Sequence, residues 1–252
     1  MGTATPSDAL RSLLRGKDPI LVLTGAGVSA ESGLATFRGP GGLWEGREPT
    51  ELATPEAFEA DPDTVWRFYA WRRTQAAAAK PNPGHVALAA LERGRGNVLL
   101  ATQNVDGLHE RAGSVRVLRL HGSLWRLRCT AEGTEHDDMN PDLSPLPPRC
   151  RCGALLRPGV VWFGEALPAA TLSEAAAAAR RAALVIVAGT SSLVHPAASL
   201  PVAAREAGAY VVEINPEATP LSPLVHERLR GAAGEILPRI AEAAGIEPER
   251  PA

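Results

Sequence analysis

Short apolar runs alternate with helix-like segments along most of the chain. Ile20–Leu23 ends in Thr24-Gly25, and Val98–Ala101 ends in Thr102-Gln103-Asn104. Val115–Leu120 alternates apolar residues with arginine before His121-Gly122. Leu184–Ala188 runs into Gly189-Thr190-Ser191, and Tyr210–Ile214 into Asn215-Pro216. Between these runs, Asp8–Arg15, His85–Arg93, Ser173–Ala183 and Ile236–Ala244 carry helical patterns. Nearly continuous apolar strands separated by helices predict an α/β fold, a Rossmann-like doubly wound parallel sheet covered on both faces.

The alternation breaks twice. Pro40–Lys80 reads as helical with no clear strand, and Cys129–Pro158 is rich in Pro, Asp and Cys with little periodicity. Both are expected to be insertions that build a smaller lobe. Residues 1–39, 81–122 and 159–252 then form the sheet domain, and 40–80 with 123–158 the small lobe. In a doubly wound sheet, ligands bind outside the carboxyl ends of the strands. All five expected strand ends here carry glycine or polar residues.

Composition narrows the classes. With 252 residues, 45% hydrophobic and 21% charged, the chain is an ordinary globular protein. No apolar run reaches the roughly 18 residues of a membrane span. Residues 1–19 lack the apolar stretch of a secretory signal. A formal net charge of −2 argues against a nucleic-acid surface. Three cysteines are too few and too odd for a disulfide framework, which predicts a reducing, cytoplasmic setting.

Gly25-Ala26-Gly27 follows the first strand directly. Such glycines let backbone approach a pyrophosphate, and the following helix start is expected to offer free N–H groups. The spacing is not the dehydrogenase fingerprint, because position 30 is Ala and no acidic residue ends a clear second strand. Hydride chemistry is therefore disfavoured.

Gly25–Gly33 with Phe37-Arg38, then Gln103-Asn104-Val105-Asp106 and His121-Gly122, resembles the signature of the sirtuins, the NAD-dependent protein lysine deacylases. Val160–Glu165, Gly189-Thr190-Ser191 and Glu213-Ile214-Asn215 extend the likeness in the family's order, from about Ile20 to Leu237. Leu34-Ala35-Thr36 departs from the family's commoner Ile-Pro-Asp before Phe-Arg.

The resemblance implies an enzyme with NAD as co-substrate and acyl-lysine proteins or peptides as partners, with no nucleic acid and no membrane. The oligomeric state stays open, a monomer being compatible. The acyl oxygen attacks the anomeric carbon as nicotinamide leaves. A base then takes a ribose hydroxyl proton, and the ribose oxygen attacks the acyl carbon. His121 is the expected base, since histidine titrates near neutrality. Asn104 and Asp106 resemble the residues that place the nicotinamide carboxamide and an attendant water, and Gln103 a ribose ligand. Phe37 resembles the aromatic that shields the anomeric carbon, and Arg38 a cation for phosphates. Ser191 and Asn215 are expected at the adenosine half, with Glu217 and Ala233 near adenine. Gly25, Ala26, Gly27, Ser29, Glu31, Trp44, Gly189 and Thr190 complete the cofactor set. Competing outcomes are ADP-ribosyl transfer to protein and an NAD or ADP-ribose sensor without turnover.

Tyr69 and Arg72, three apart on an expected helix, share one face. A phenol and a guanidinium together suit a carboxylate. The pair matches the Tyr-x-x-Arg of the sirtuin branch that prefers succinyl- and malonyl-lysine. Val161, Phe163 and Gly164 are expected in an extended segment to which a substrate peptide adds as a strand. Trp162 belongs either to that segment's function or to ordinary packing. The family's small lobe commonly holds a Cys₄ zinc ribbon. Here only Cys129, Cys150 and Cys152 remain, with Glu132 near the missing partner's place. Either they bind zinc with His136 or an acidic residue as fourth ligand, or the lobe closes without metal by Pro and apolar packing.

Overall fold

A computed structural model describes residues 5–36 and 47–247. Phe37, Arg38 and Trp44, three of the expected cofactor contacts, lie outside the described residues. The strands are β1 Ile20–Thr24, β2 Val98–Thr102, β3 Val117–Arg119, β4 Gly122–Cys129, β5 Glu135–Asp137, β6 Leu156–Val160, β7 Leu184–Ala188, β8 Tyr210–Ile214 and β9 Glu227–Leu229. The helices are α1 Asp8–Arg15, α2 Gly27–Ala30, α3 Pro49–Leu52, α4 Pro55–Ala60, α5 Pro62–Ala78, α6 Pro83–Arg95, α7 Leu108–Arg111, α8 Ala169–Arg181, α9 Leu200–Glu206 and α10 Ala233–Ala243.

Six parallel strands form the larger sheet in the order β3-β2-β1-β7-β8-β9. With the smaller sheet's strands set aside, this is the 3-2-1-4-5-6 order of doubly wound folds. It reverses between β1 and β7. The unbroken apolar runs follow from burial on both faces. Ile20 and Val22 of β1 join a core with Leu10, Leu14, Leu88, Leu91, Ile236 and Ile240, from α1, α6 and α10. Leu21 and Leu23 join a second core with Ala175, Ala179, Leu200 and Ala204, from α8 and α9. Helix ends obey local chemistry. Asn82 caps α6 through the Gly84 and His85 N–H groups, Pro83 opens the helix, and Gly96 at φ 69° closes it.

Two expectations change. The third strand starts at Val117 rather than Val115, because the amides of Val115 and Arg116 donate to the Glu92 carboxylate instead of a ladder. The stretch after Cys129, which shows little periodicity in sequence, holds two strands. β5 and β6 flank β4 in an antiparallel sheet of order β5-β4-β6. Their signal was hidden because β5 is three exposed residues and β6 contains Pro158 and Gly159.

A third core joins this sheet to α5: Val65, Trp66, Phe68, Leu124, Leu127, Leu156 and Trp162 are buried together. Trp66 Nε1 donates to the Leu156 carbonyl at 2.8 Å. Buried Arg73 pairs with Asp138 at 2.7 Å and also donates to the Leu124 and Asn140 carbonyls. A charge removed from water needs such partners. Among the described residues, no helix is long and apolar enough to cross a membrane.

Candidate active site

The carboxyl ends of the central strands open into a cleft of about 600 Å³. Gly25, Ala26, Gly27 and Glu31 line it after β1, Gln103 and Asn104 after β2, and His121 after β3. Gly189, Thr190 and Ser191 line it after β7, Asn215 and Glu217 after β8, and Ala233 at the start of α10. Tyr69 and Arg72 contribute from α5, and Val161 and Phe163 from the segment after β6. Ser29, Asp106 and Gly164, expected as contacts, do not line the cleft.

The floor is a close apposition of backbone at the sheet's reversal point. Gly25 N–H donates to the Ala188 carbonyl at 3.1 Å, and Gly27 N–H to the Gly189 carbonyl at 2.7 Å. A Cβ on Gly27 would stand 2.8 Å from Gly189 Cα, and one on Gly25 2.8 Å from Thr190 Cβ. Gly189 itself sits at φ 59°. The expected open helix start is only partly present. The amides of Gly27, Val28 and Ser29 already donate to the carbonyls of Gly189, Gly25 and Ala26. Gly27→Ala is therefore expected to cost about 1–3 kcal/mol and to lower Tm by roughly 3–10 °C. Thermal melts with and without NAD check this, and the dinucleotide's stabilising shift should shrink in parallel.

Thr190 ties three strand ends together. Its hydroxyl accepts from Gln103 Nε2 at 3.0 Å, and its carbonyl from Asn215 Nδ2 at 2.8 Å. Glu31 Oε2 accepts the Gly234 N–H at 2.6 Å, placing a carboxylate at the start of α10.

His121 is half-buried on the cleft wall, with Nδ1 3.1 Å from the Gln103 carbonyl oxygen. A carbonyl only accepts, so Nδ1 carries the hydrogen and Nε2 keeps its lone pair. Burial depresses the imidazole's pKa below 6.5, and the Gln103 bond only partly offsets this. The ring is neutral at pH 7.

Behind the wall lies a buried polar chain. Asn104 Nδ2 donates to Ser29 Oγ at 3.1 Å, and Ser29 Oγ donates to Asp106 Oδ2 at 2.8 Å. Asp106 Oδ1 accepts the Leu108 N–H at 2.8 Å. Burial raises the Asp106 pKa, against the Leu108 amide, the Ser29 hydroxyl and the Arg72 charge. Ser29 and Asp106 are thus linked by hydrogen bonds to Asn104, which lines the cleft. Sequence reasoning also missed His85. Its Nδ1 accepts the Asn82 N–H at 3.3 Å, which leaves the hydrogen on Nε2, 3.4 Å from Ser29 Oγ. Burial, then neighbouring His109, holds His85 down at about 2, so it stays neutral. Nothing in local spacing links α6 to α2, so no sequence signal pointed to it.

On the opposite side, α5 presents Tyr69 and Arg72 to the cleft. Burial raises the Tyr69 pKa, so the phenol keeps its proton. Burial lowers the Arg72 pKa, while the Asp106 carboxylate supports the charge. The segment after β6 is not extended as expected. The Glu165 N–H donates to the Trp162 carbonyl, and Gly164 sits at φ 88°, which makes 162–165 a turn. Val161 N–H donates to the His121 carbonyl and Phe163 N–H to the Ala53 carbonyl, both at 2.9 Å.

Away from the cleft, ligand atoms of Cys129, Glu132, Cys150 and Cys152 all lie within 4.8 Å of one another. The Glu132 amide, above all, lowers the Cys129 pKa toward the thiolate. His136, on exposed β5, is not in this group.

Doubly wound sheets take dinucleotides at their reversal point. The fold and cleft therefore define a dinucleotide-binding α/β protein with a second, smaller sheet beside the cleft. Comparison with known proteins narrows the class. The Sir2 family model matches residues 25–196, and the chain belongs to that family. NAD-dependent protein deacylase 2 of Pyrobaculum aerophilum is 52% identical over 231 residues, covering 91% of this chain and 92% of the relative. NAD-dependent protein deacylase of Aquifex aeolicus is 50% identical over 222 residues, covering 88% and 93%. A solved Sir2 homologue–NAD complex superposes with a TM-score of 0.90 at 47% identity, over 97% of this chain and 96% of the other.

Proposed function

We propose that the chain is an NAD-dependent protein lysine deacylase that removes succinyl and malonyl groups, and acetyl groups as well, releasing nicotinamide and O-acyl-ADP-ribose. The observation that carries the reading is His121: a neutral imidazole, held by the Gln103 carbonyl, with a free Nε2 on the cleft wall. Gly25, Ala26, Gly27, Glu31, Gly189 and Thr190 hold the dinucleotide's phosphates and ribose, with Ser191, Asn215, Glu217 and Ala233 toward adenosine. Asn104, steadied by Ser29 and Asp106, takes the carboxamide of nicotinamide. As the bond between nicotinamide and the ribose breaks and nicotinamide leaves, the acyl oxygen captures the anomeric carbon. His121 Nε2 then removes a ribose hydroxyl proton, and the ribose oxygen attacks the acyl carbon; the C–N bond to lysine breaks, the lysine amine leaves with a proton, and water adds to give O-acyl-ADP-ribose.

Tyr69 and Arg72 would receive the distal carboxylate of the acyl chain. The substrate peptide would lie along Val161, Phe163 and Gly164. Among these, the Gly164 N–H has no acceptor within the described residues. The lobe division at 40–80 and 123–158 belongs to the same reading.

The deciding experiment incubates the protein with NAD and acylated peptides and follows the products. Nicotinamide with free O-acyl-ADP-ribose supports the proposal. Protein-bound ADP-ribose would assign transfer to protein instead, and no nicotinamide release would leave a sensor.

Zinc fits the four-residue cluster: three thiolates and a carboxylate match its tetrahedral ligand set. The ion would staple the small lobe, and none of its ligands lines the cleft. The purified protein is expected to carry about one zinc per chain by elemental analysis, a closed structural stoichiometry. Cys152→Ser should lower both zinc content and Tm. A protein that melts identically with and without chelator, and holds no metal, would contradict this.

A further inference from the structure

Trp162 is the residue of the cleft region for which neither the motif nor the chemistry above supplies a task. It is buried, yet its indole is not merely packed. Nε1 donates to the Tyr69 hydroxyl at 3.0 Å. An indole N–H can only donate, and a phenol has one hydrogen to give and lone pairs to receive. Tyr69 must therefore accept at this contact, and its own hydrogen is directed elsewhere.

The indole is held firmly. The Arg157 guanidinium lies 3.5 Å above the ring's centroid. Arg157 grips Glu165 in a bidentate pair at 2.6 and 2.8 Å. Glu165 in turn accepts the Trp162 backbone N–H at 2.8 Å. Burial opposes ionisation of Glu165, but the Arg157 and Trp162 hydrogen bonds outweigh it and hold the carboxyl below its usual range. Phe58 packs against the indole, with ring centroids 5.2 Å apart and the planes tilted by 40°. This clamp spans the 162–165 turn.

We propose that Trp162 is a specificity-positioning residue for the acyl pocket. By filling a lone pair of the Tyr69 hydroxyl, it commits the phenol's hydrogen to an acceptor in the cleft beside Arg72. A free phenol could rotate to accept from a ligand or donate to it. A phenol already accepting from Trp162 favours ligands that accept, and a carboxylate accepts without donating. The inference rests on the acidic-acyl reading above and assigns part of that preference to a residue that touches neither reactant.

The test compares kcat/KM on succinyl-lysine and acetyl-lysine peptides of one sequence, at saturating NAD. Trp162→Phe removes the donor. Incorporation of benzothienylalanine at 162 removes the N–H while keeping the bicyclic shape, which guards against a misfolded phenylalanine variant. The succinyl-to-acetyl ratio is expected to fall by roughly fivefold, the scale of one oriented hydrogen bond, mainly through KM on the succinyl peptide. In a Tyr69→Phe background the same replacement should leave the ratio unchanged, because no hydroxyl remains to orient. A purely structural role would lower both activities and preserve the ratio. A wild-type protein that treats the two acyl groups alike overturns the acidic-acyl reading, and this proposal with it. A discriminating wild type whose ratio survives the benzothienyl replacement overturns this proposal alone.

Discussion

His121→Ala is expected to lower steady-state turnover of NAD and acylated peptide by about 10²–10⁴-fold, the usual contribution of a positioned general base. The fold should survive, because among the described residues the half-buried imidazole makes one hydrogen bond, to the Gln103 carbonyl. Far-UV circular dichroism and a thermal melt separate the two effects. The pH profile of the wild type carries a second signature. Activity needs neutral His121, and burial sets its pKa below 6.5. The acid limb of kcat/KM should therefore fall away below the ordinary histidine range, with full base competence at neutral pH. Near-normal steady-state nicotinamide release from His121→Ala would remove the histidine from the mechanism.

Arg72→Met carries the second large effect. A charge-assisted hydrogen bond is worth roughly 1.5–3 kcal/mol, so losing it should lower kcat/KM on a succinyl-lysine peptide by about 10- to 100-fold relative to an acetyl-lysine peptide. Methionine keeps much of the aliphatic stem and its packing. The neutral acetyl group has no carboxylate to lose, so the preference should invert rather than both rates collapsing. The electrostatics leave one competing role in view, since Arg72 and Asp106 support each other's charged forms. If Arg72 served mainly to hold Asp106 behind Asn104, both activities would drop together. Side-by-side rates on the two peptides decide between these.

The chain's own pattern was enough for the frame of this site. Runs such as Ile20–Leu23 and Leu184–Ala188 are apolar throughout because both of their faces are buried, and that is visible without coordinates. Each run stops where glycine or a polar residue begins, so the cleft's floor could be named from its strand ends. Tyr69 and Arg72 share a helix face by spacing alone, and both line the cleft. Val115 shows the limit of such reading. It continues the alternating pattern, yet it is 84% exposed because Glu92 takes the neighbouring amides.

What the amino-acid order determined, then, was the run of strands and helices and the residue types at their ends, because periodicity and capping are local properties of neighbouring residues. Only the tertiary structure decided which distant groups meet. The reversal between β1 and β7 presses Gly27 against Gly189. Helix α6 swings His85 under Ser29, and the turn at 162–165 delivers an indole N–H to Tyr69, 93 residues away. Glu132, rather than His136, joins the three thiols; His136 sits on the exposed edge strand β5, outside the cluster. Each of these pairings is set by topology and packing across the chain, where sequence separation carries no periodic signal for a reader to find.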